Sequence, residues 1–268
     1  MVVLSLYPSG QQERPLEGLY LDDIPSPQNG PFVYANFLVS LDGRIAVRDE
    51  NGHKGVPRAT ANDRDWRLYT ELLMQADAVL TTGNHAQSIA AGAQYDMMTL
   101  AHRRYPDLRN YRRARGLSGH PTCVVVSSRL NFRTEALKEA HPGAIMAVTT
   151  ENDERASCSA RNAGIEIIVI RTEPTVTGHK LMQIFRERGL KRIYMVGGPR
   201  LFHTLLRDQV VHRLYLTMAG RLVGGDDIET PVRGSHFAIP PDARLRHLTL
   251  DRDASPQQMF ACYDLGPH

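Results

Sequence analysis

The stretch Phe32-Val-Tyr-Ala-Asn-Phe-Leu-Val-Ser-Leu-Asp-Gly-Arg-Ile-Ala46 decides how the chain is read. Its first nine residues have the apolar density and length of a strand buried on both faces. Leu41-Asp42-Gly43 then ends the run with the residues of a tight turn. A strand of this kind needs parallel neighbours and helices on either side, and the chain supplies both.

Downstream, Thr60-Ala-Asn-Asp63 resembles a capping box with Asp in place of Glu. Trp66, Tyr69, Leu73 and Ala76 recur at helical spacing, which predicts an amphipathic helix with Trp66 in the core. Residues 77–82 read as a short strand, and Gly83-Asn84-His85 turns it into the next helix. Further strands are predicted over 122–127, 144–149, 165–170 and 192–196. Helices are predicted over 153–163 and 177–187, and another after Gly197-Gly198-Pro199. Short apolar runs alternating with amphipathic helices indicate parallel βαβ units. After a strand at 211–217 the helices stop, and runs around 245–250 and 259–265 read as antiparallel strands. The expected fold class is α/β, three-layered, with a mixed and mostly parallel sheet between helices.

The 268 residues, 42% apolar and 23% charged, suit one domain. Residues 1–31 carry Pro8, Pro15, Pro25, Pro27 and Pro31 and read as an arm on the surface of a single domain at 32–268. Three scattered cysteines and 11 histidines without ligand spacing give no metal site and point to a reduced, cytoplasmic setting. No apolar run approaches the ~20 residues of a membrane span, and the start lacks a signal peptide's basic and apolar regions. The net charge of +3 is too small to imply nucleic acid. One segment, about 92–119, is long and rich in arginine. It reads either as a solvated insertion, such as a helix at an oligomer interface, or as arginines interleaved with Tyr105 and Tyr111 to hold phosphate or nucleic acid.

Four stretches follow predicted strands at the edge where open α/β sheets bind ligands. Ser40-Leu41-Asp42-Gly43 offers a carboxylate to a ligand, or is an ordinary Asp-Gly turn. Thr82-Gly83 before a helix exposes backbone N–H groups to an anion, as many strand–helix turns do. Ser127-Ser128-Arg129 supplies two hydroxyls and a guanidinium for a phosphate monoester, or a helix cap beside a solvated arginine. Gly197-Gly198-Pro199-Arg200-Leu201 pairs two glycines with a proline at a first helical turn, which suits close backbone approach to an anionic ligand.

Taken in order, these stretches resemble the pyrimidine reductase domain of riboflavin biosynthesis, a branch of the dihydrofolate reductase fold. The resemblance rests on 35–46, on Ala76-Asp77-Ala78-Val79-Leu80 before Gly83, on 195–201, and on Leu214-Tyr215-Leu216-Thr217 followed by Leu222-Val223-Gly224-Gly225. It implies NADPH as cofactor, a homodimer, and hydride transfer to C1 of a ring-opened ribose on a phosphorylated aminopyrimidine, 5-amino-6-(5-phosphoribosylamino)uracil or a relative. Asp42 would orient the substrate and stabilise its cationic imine, with Ser40 and Asn36 beside the sugar. Thr82, Gly83, Ser127, Ser128, Arg129, Gly197, Gly198, Pro199, Arg200 and Leu201 would hold the cofactor. The resemblance also implies a cis peptide between Gly197 and Gly198. Val196 stands where the family usually has Glu, Thr70-Glu71-Leu72-Leu73-Met74-Gln75 stands in the helix where it usually has Arg, and the arginine-rich segment replaces a substrate-side motif. Other readings are a reductase of the same fold acting on another pterin-like or carbonyl substrate, and a nucleotide-binding protein without catalysis.

Overall fold

The computed structural model describes residues 1–48, 54–90, 97–130, 132–150 and 153–266. In chain order the elements begin with β1 (Val2–Tyr7), β2 (Gln12–Pro15), β3 (Phe32–Ser40) and the short pair β4 (Val47–Arg48) and β5 (Lys54–Gly55). Then come α1 (Asp63–Gln75), β6 (Ala78–Thr82), α2 (Gly83–Ala90), α3 (Met97–Arg104), α4 (Pro106–Ala114) and β7 (Thr122–Val126). The series continues with α5 (Thr134–Ala140), β8 (Ile145–Thr149), α6 (Glu154–Asn162), β9 (Glu166–Val169), α7 (Gly178–Glu187) and β10 (Arg192–Met195). It closes with α8 (Pro199–Arg207), β11 (Arg213–Ala219), β12 (Ala243–Asp251) and β13 (Gln258–Leu265).

Eleven strands form one sheet in the order β2-β1-β12-β13-β11-β3-β10-β6-β7-β8-β9. The run from β11 to β9 is parallel, and the strands from β2 to β13 are antiparallel. This is the expected mixed sheet, with β3 at its centre. Val33, Ala35, Phe37 and Val39 face α7 and α8, where Leu181, Phe185, Leu201 and Phe202 pack. Tyr34 faces α1, whose Leu68, Leu72 and Leu73 are buried with Tyr194 and Tyr215. α2, α5 and α6 cover β7 and β8 on that same side.

Four expectations need correction. The cap of α1 is Asn62, whose Oδ1 accepts the N–H groups of Arg64 and Asp65 at 2.9 and 3.0 Å. Thr60 stands two residues before that cap, outside the helix start, and its hydroxyl donates to the Pro57 carbonyl at 2.7 Å. Trp66 is only half-buried, stacked on Tyr69 with ring centroids 5.2 Å apart, because the buried stripe of α1 runs through Leu68, Leu72 and Leu73 instead.

Residues 1–31 do more than wrap the surface. β1 extends the sheet along β12, and Leu16, Leu19, Tyr20 and Ile24 are buried against α1. The buried Glu71 carboxylate fastens that segment by accepting the Gly18 and Tyr20 N–H groups at 2.6 and 3.0 Å.

The arginine-rich segment is helical in its described part, with 92–96 lying outside the described residues. Leu108 packs into the α1 core, and Arg112 is buried with its guanidinium on the carbonyls of Met74, Ala76 and Ser118 at 3.1, 2.7 and 2.6 Å. Those carbonyls include the unpaired end of α1, where a cation is favoured. Burial pushes the Arg112 guanidinium down to about 10. Arg67 pairs with Asp107 at 2.6 Å. Arg112 and Arg67 thus serve the fold, while Arg103, Arg104, Arg109, Arg113 and Arg115 are exposed, as in a solvated helical insertion. Among the described residues, no helix is long and apolar enough to cross a membrane.

Candidate active site

The parallel strands all end on one edge, and their register gives that edge its shape. Met195, the last residue of β10, pairs with Ala35 on one side and Leu80 on the other. β3 continues past that level to Ser40, alongside β11, which ends at Ala219 opposite Ser40. At ~3.3 Å per residue the β3–β11 pair stands roughly 16 Å proud of β10. It forms a wall, with Asn36 near its foot and Ser40 at its top. The turn Gly197-Gly198 leaves β10 at the base of the wall.

At the top, the Asp42 carboxylate is held by four donors. Oδ1 accepts from the Ser40 hydroxyl at 2.5 Å and the Val223 N–H at 3.1 Å. Oδ2 accepts from the Gly224 N–H at 2.8 Å and Arg44 Nε at 3.0 Å. The Ser40 hydroxyl, then the Gly224 and Val223 amides, hold this carboxyl well below the usual carboxylate range. Asp42 is therefore a fixed negative charge, since a carboxylate satisfied in this way neither takes nor gives a proton near neutrality. Arg44 is buried beside it and also donates to the carbonyls of Gly225 and Asp227. Gly224 and Gly225 take φ of +71° and +95°, values glycine adopts without strain. The turn after β11 is thereby clamped onto the turn after β3.

At the base, two helices start side by side. Gly198 caps α8 with no side chain, and α2 begins at Gly83 directly after β6, the strand beside β10. Both leave first-turn N–H groups for an anion. The two glycines have different reasons to be glycine. A Cβ on Gly197 would stand 2.7 Å from Leu201 Cδ2, whereas one on Gly198 would project into open space. The cis peptides of the described residues are Tyr7–Pro8 and Ser255–Pro256, so the expected cis bond at Gly197–Gly198 is not found. Gly198 instead sits in ordinary extended backbone, φ −72° and ψ 175°, and enters α8 directly.

One strand beyond β6, Ser127 is buried while Ser128 and Arg129 are exposed. The turns after β10, β6 and β7 thus form a row roughly 10 Å wide at ~4.8 Å per strand. Thr82, Gly197, Pro199, Arg200 and Leu201 lie in this row, and Asn36, Ser40 and Asp42 lie along the wall.

Several residues of this edge escaped the sequence reading. Arg44 stands two residues after Asp42 and pairs with it locally, while Val223 joins Asp42 only through a contact closed by the fold. Asp65 lies in the first turn of α1, at the same edge, and is buried with its Oδ1 lacking a partner among the described residues. Burial pushes its carboxyl up to about 6, against a smaller opposing effect of the Thr217 hydroxyl. Its signal was legible: Asp65 shares a helical face with Leu68 and Leu72, and an acid on a buried stripe needs a reason.

Away from this edge, Asp23, His247 and Cys262 bring ligand atoms within 4.8 Å of one another. Burial pushes the Cys262 thiol up, and Asp23 already accepts from the Tyr215 hydroxyl and faces Arg213 and Arg246. That set is an ion-pair hub closing the sheet's antiparallel half.

Comparison with known proteins fits this geometry. The family model described as the RibD C-terminal domain matches residues 31–254. The 2,5-diamino-6-ribosylamino-4(3H)-pyrimidinone 5′-phosphate reductase of Methanothermobacter thermautotrophicus is 26% identical over 80% of this chain and 88% of its own length. The enzyme of that name from Archaeoglobus fulgidus is 23% identical over 77% of this chain and 88% of its own. Among solved structures, a pyrimidine reductase-like protein of Corynebacterium diphtheriae superposes with a TM-score of 0.70 at 19% identity. That superposition covers 94% of this chain and 99% of the other.

Proposed function

The chain belongs to the RibD C-terminal domain family, and on that premise we propose that it is the pyrimidine reductase of riboflavin biosynthesis, using NADPH to reduce a phosphoribosylaminopyrimidine to its ribitylamino product. The observation that carries this reading is the edge itself: a fixed carboxylate on a wall above a row of anion-accepting turns. NADPH suits the row, because two neighbouring helix starts, that of α8 without a side-chain cap, the open flank of Gly198 and the Ser128–Arg129 pair are a donor set for a polyanionic dinucleotide. When bound there it supplies the hydride.

The chain's own residues do the rest. Asp42, ionised at every working pH, stabilises the positive charge that develops on the imine of the ring-opened sugar. Ser40 and Asn36 orient the ribose, and Arg44 keeps the Asp42 carboxylate aimed. Gly83, Gly197, Gly198, Pro199, Arg200 and Leu201 receive the phosphates with Thr82 beside them, and Ser127, Ser128 and Arg129 read the 2′-phosphate that separates NADPH from NADH. A homodimer is the assembly we expect. Expression of the chain in a riboflavin auxotroph lacking its reductase tests the reading: growth without riboflavin supports it, and failure of a well-expressed chain to restore growth counts against it.

A further inference from the structure

Residues 1–30 precede the stretch matched by the family model, 31–254, yet they build a cavity of their own. Tyr7, Arg14, Leu19 and Leu21 of this arm line, with Arg246 and His247 of β12, a cleft of about 440 Å³. That volume lies within the roughly 300–1,000 Å³ of small-molecule sites. In the sheet order β12 and β1 stand three and four strands from β3. At ~4.8 Å per strand, roughly 14 Å of sheet separates the cleft from the strand that leads to Asp42. The buried rings of Tyr20 and Tyr215 pack against His247 at 5.7 and 6.4 Å and back the cleft.

The charges of the cleft do not cancel. Its two acids, Asp22 and Asp23, are committed to groups outside its lining. Asp22 accepts the Tyr111 hydroxyl at 2.7 Å and pairs with Arg115. Asp23 accepts the Tyr215 hydroxyl and pairs with Arg213 at 3.5 Å, while His247 Nε2 stands 3.7 Å from it. The two arginines are far less engaged. Arg14 is exposed and makes no ion pair or side-chain hydrogen bond among the described residues. Arg246, its side chain 44% exposed, meets Asp23 and Asp264 only at 3.4 and 3.6 Å.

Two guanidiniums with donors to spare, at one cleft, suit an anion whose oxygens take a fork of N–H groups, and a phosphate monoester is such an anion. Beside them Tyr7, 44% exposed, with Leu19 and Leu21 offers aromatic and apolar surface to a flat ring.

We propose that this cleft is a second ligand site, for a phosphorylated heterocycle of mononucleotide size, with Arg14 and Arg246 on the phosphate and Tyr7 against the ring. The inference is independent of the reaction performed at the other edge. Such a ligand ties β2 to β12 across β1. It thereby fastens the arm that Glu71 already holds against α1 through the Gly18 and Tyr20 N–H groups.

The test titrates guanosine and cytidine 5′-monophosphate into the whole chain by calorimetry, with and without saturating NADPH to fill the cofactor row. At least one nucleotide should bind at one site per chain, equally well in both conditions. Its nucleoside and inorganic phosphate should each bind at least tenfold more weakly, since each lacks half of the match. Arg14→Ala breaks no ion pair and should weaken the nucleotide tenfold or more. Arg246→Gln should do the same, and Tyr7→Ala should bring the nucleotide down to the affinity of inorganic phosphate. Thermal melts show that each variant is folded, and the nucleotide should raise the melting temperature of the wild type alone. Neither nucleotide binding saturably, or binding that Arg14→Ala keeps at full strength, overturns the proposal. A nucleotide displaced by NADPH also overturns it, because that nucleotide occupies the cofactor row.

Discussion

The Asp42 carboxylate accepts the backbone N–H of Gly224 at 2.8 Å, joining two turns 182 positions apart in the chain. That bond makes the wall at the sheet edge a single unit. The turn after β3 and the turn after β11 hold each other through a charge, and Arg44 closes the loop from behind. A site assembled this way keeps its negative charge in place without relying on a flexible side chain.

Asp42→Asn keeps the acceptor oxygen and removes the charge. It should lower kcat by about ten- to a thousandfold while NADPH affinity changes little, as expected for a contact that matters at the transition state. Steady-state kinetics beside a cofactor titration check this. An Asn variant with full turnover would leave Asp42 as a turn residue only.

The two glycines after β10 should separate structure from binding. Gly197→Ala places a Cβ 2.7 Å from the buried Leu201 side chain and should cost about 1–3 kcal/mol of stability. Gly198→Ala meets no protein atom, so its melting temperature should stay near the wild type while NADPH binding weakens by about tenfold or more. Thermal melts and fluorescence titration of the cofactor read the two effects apart. Normal NADPH binding by Gly198→Ala would remove that glycine from the cofactor site.

Much of this edge was legible in the sequence, for a physical reason. Buried parallel strands read as continuous apolar runs, so β3 was delimited by its own residues, and the punctuating turns marked the functional edge. Asp153 and Thr177 announced α6 and α7 and do cap them. What stayed hidden was closed by contacts distant in sequence. Nothing local says that Arg112 ends on the carbonyls of Met74 and Ala76, or that Val223 meets Asp42. α3 and α4 were obscured because arginine, an indifferent loop residue by composition, is also a good helix former. Asn62 was overlooked as a cap because Thr60 offered a familiar pattern two residues earlier.

Arg129→Ala should weaken NADPH binding by about ten- to a hundredfold and leave NADH binding nearly unchanged. The 2′-phosphate alone distinguishes the two cofactors, and a charged hydrogen bond to it contributes roughly 1.5–3 kcal/mol. Calorimetric titration of both cofactors against both proteins decides the matter. Equal losses would mean that Arg129 supports the local fold and does not read the phosphate.

Asp65 gives a stability signature. Burial raises its carboxyl from the ordinary 3.8 to about 6, so between those values the folded state holds a proton that the unfolded state has lost. This contribution to stability therefore falls as pH rises from about 4 to about 6 and is level above. Asp65→Asn lacks that loss. The stability of the variant relative to wild type should rise across this window by on the order of a few kcal/mol. Denaturant unfolding at several pH values measures it, and a difference that does not change with pH would show that Asp65 is charged throughout.

The most direct test of the central claim is a single-turnover assay. The purified chain is mixed with NADPH and 2,5-diamino-6-ribosylamino-4(3H)-pyrimidinone 5′-phosphate, following NADPH absorbance and the mass of the pyrimidine. The account predicts one NADPH oxidised for each substrate that gains two hydrogens to become the ribitylamino product, with NADH much slower. NADPH left unoxidised by this substrate and by its uracil counterpart, in a protein that binds NADPH, would contradict it.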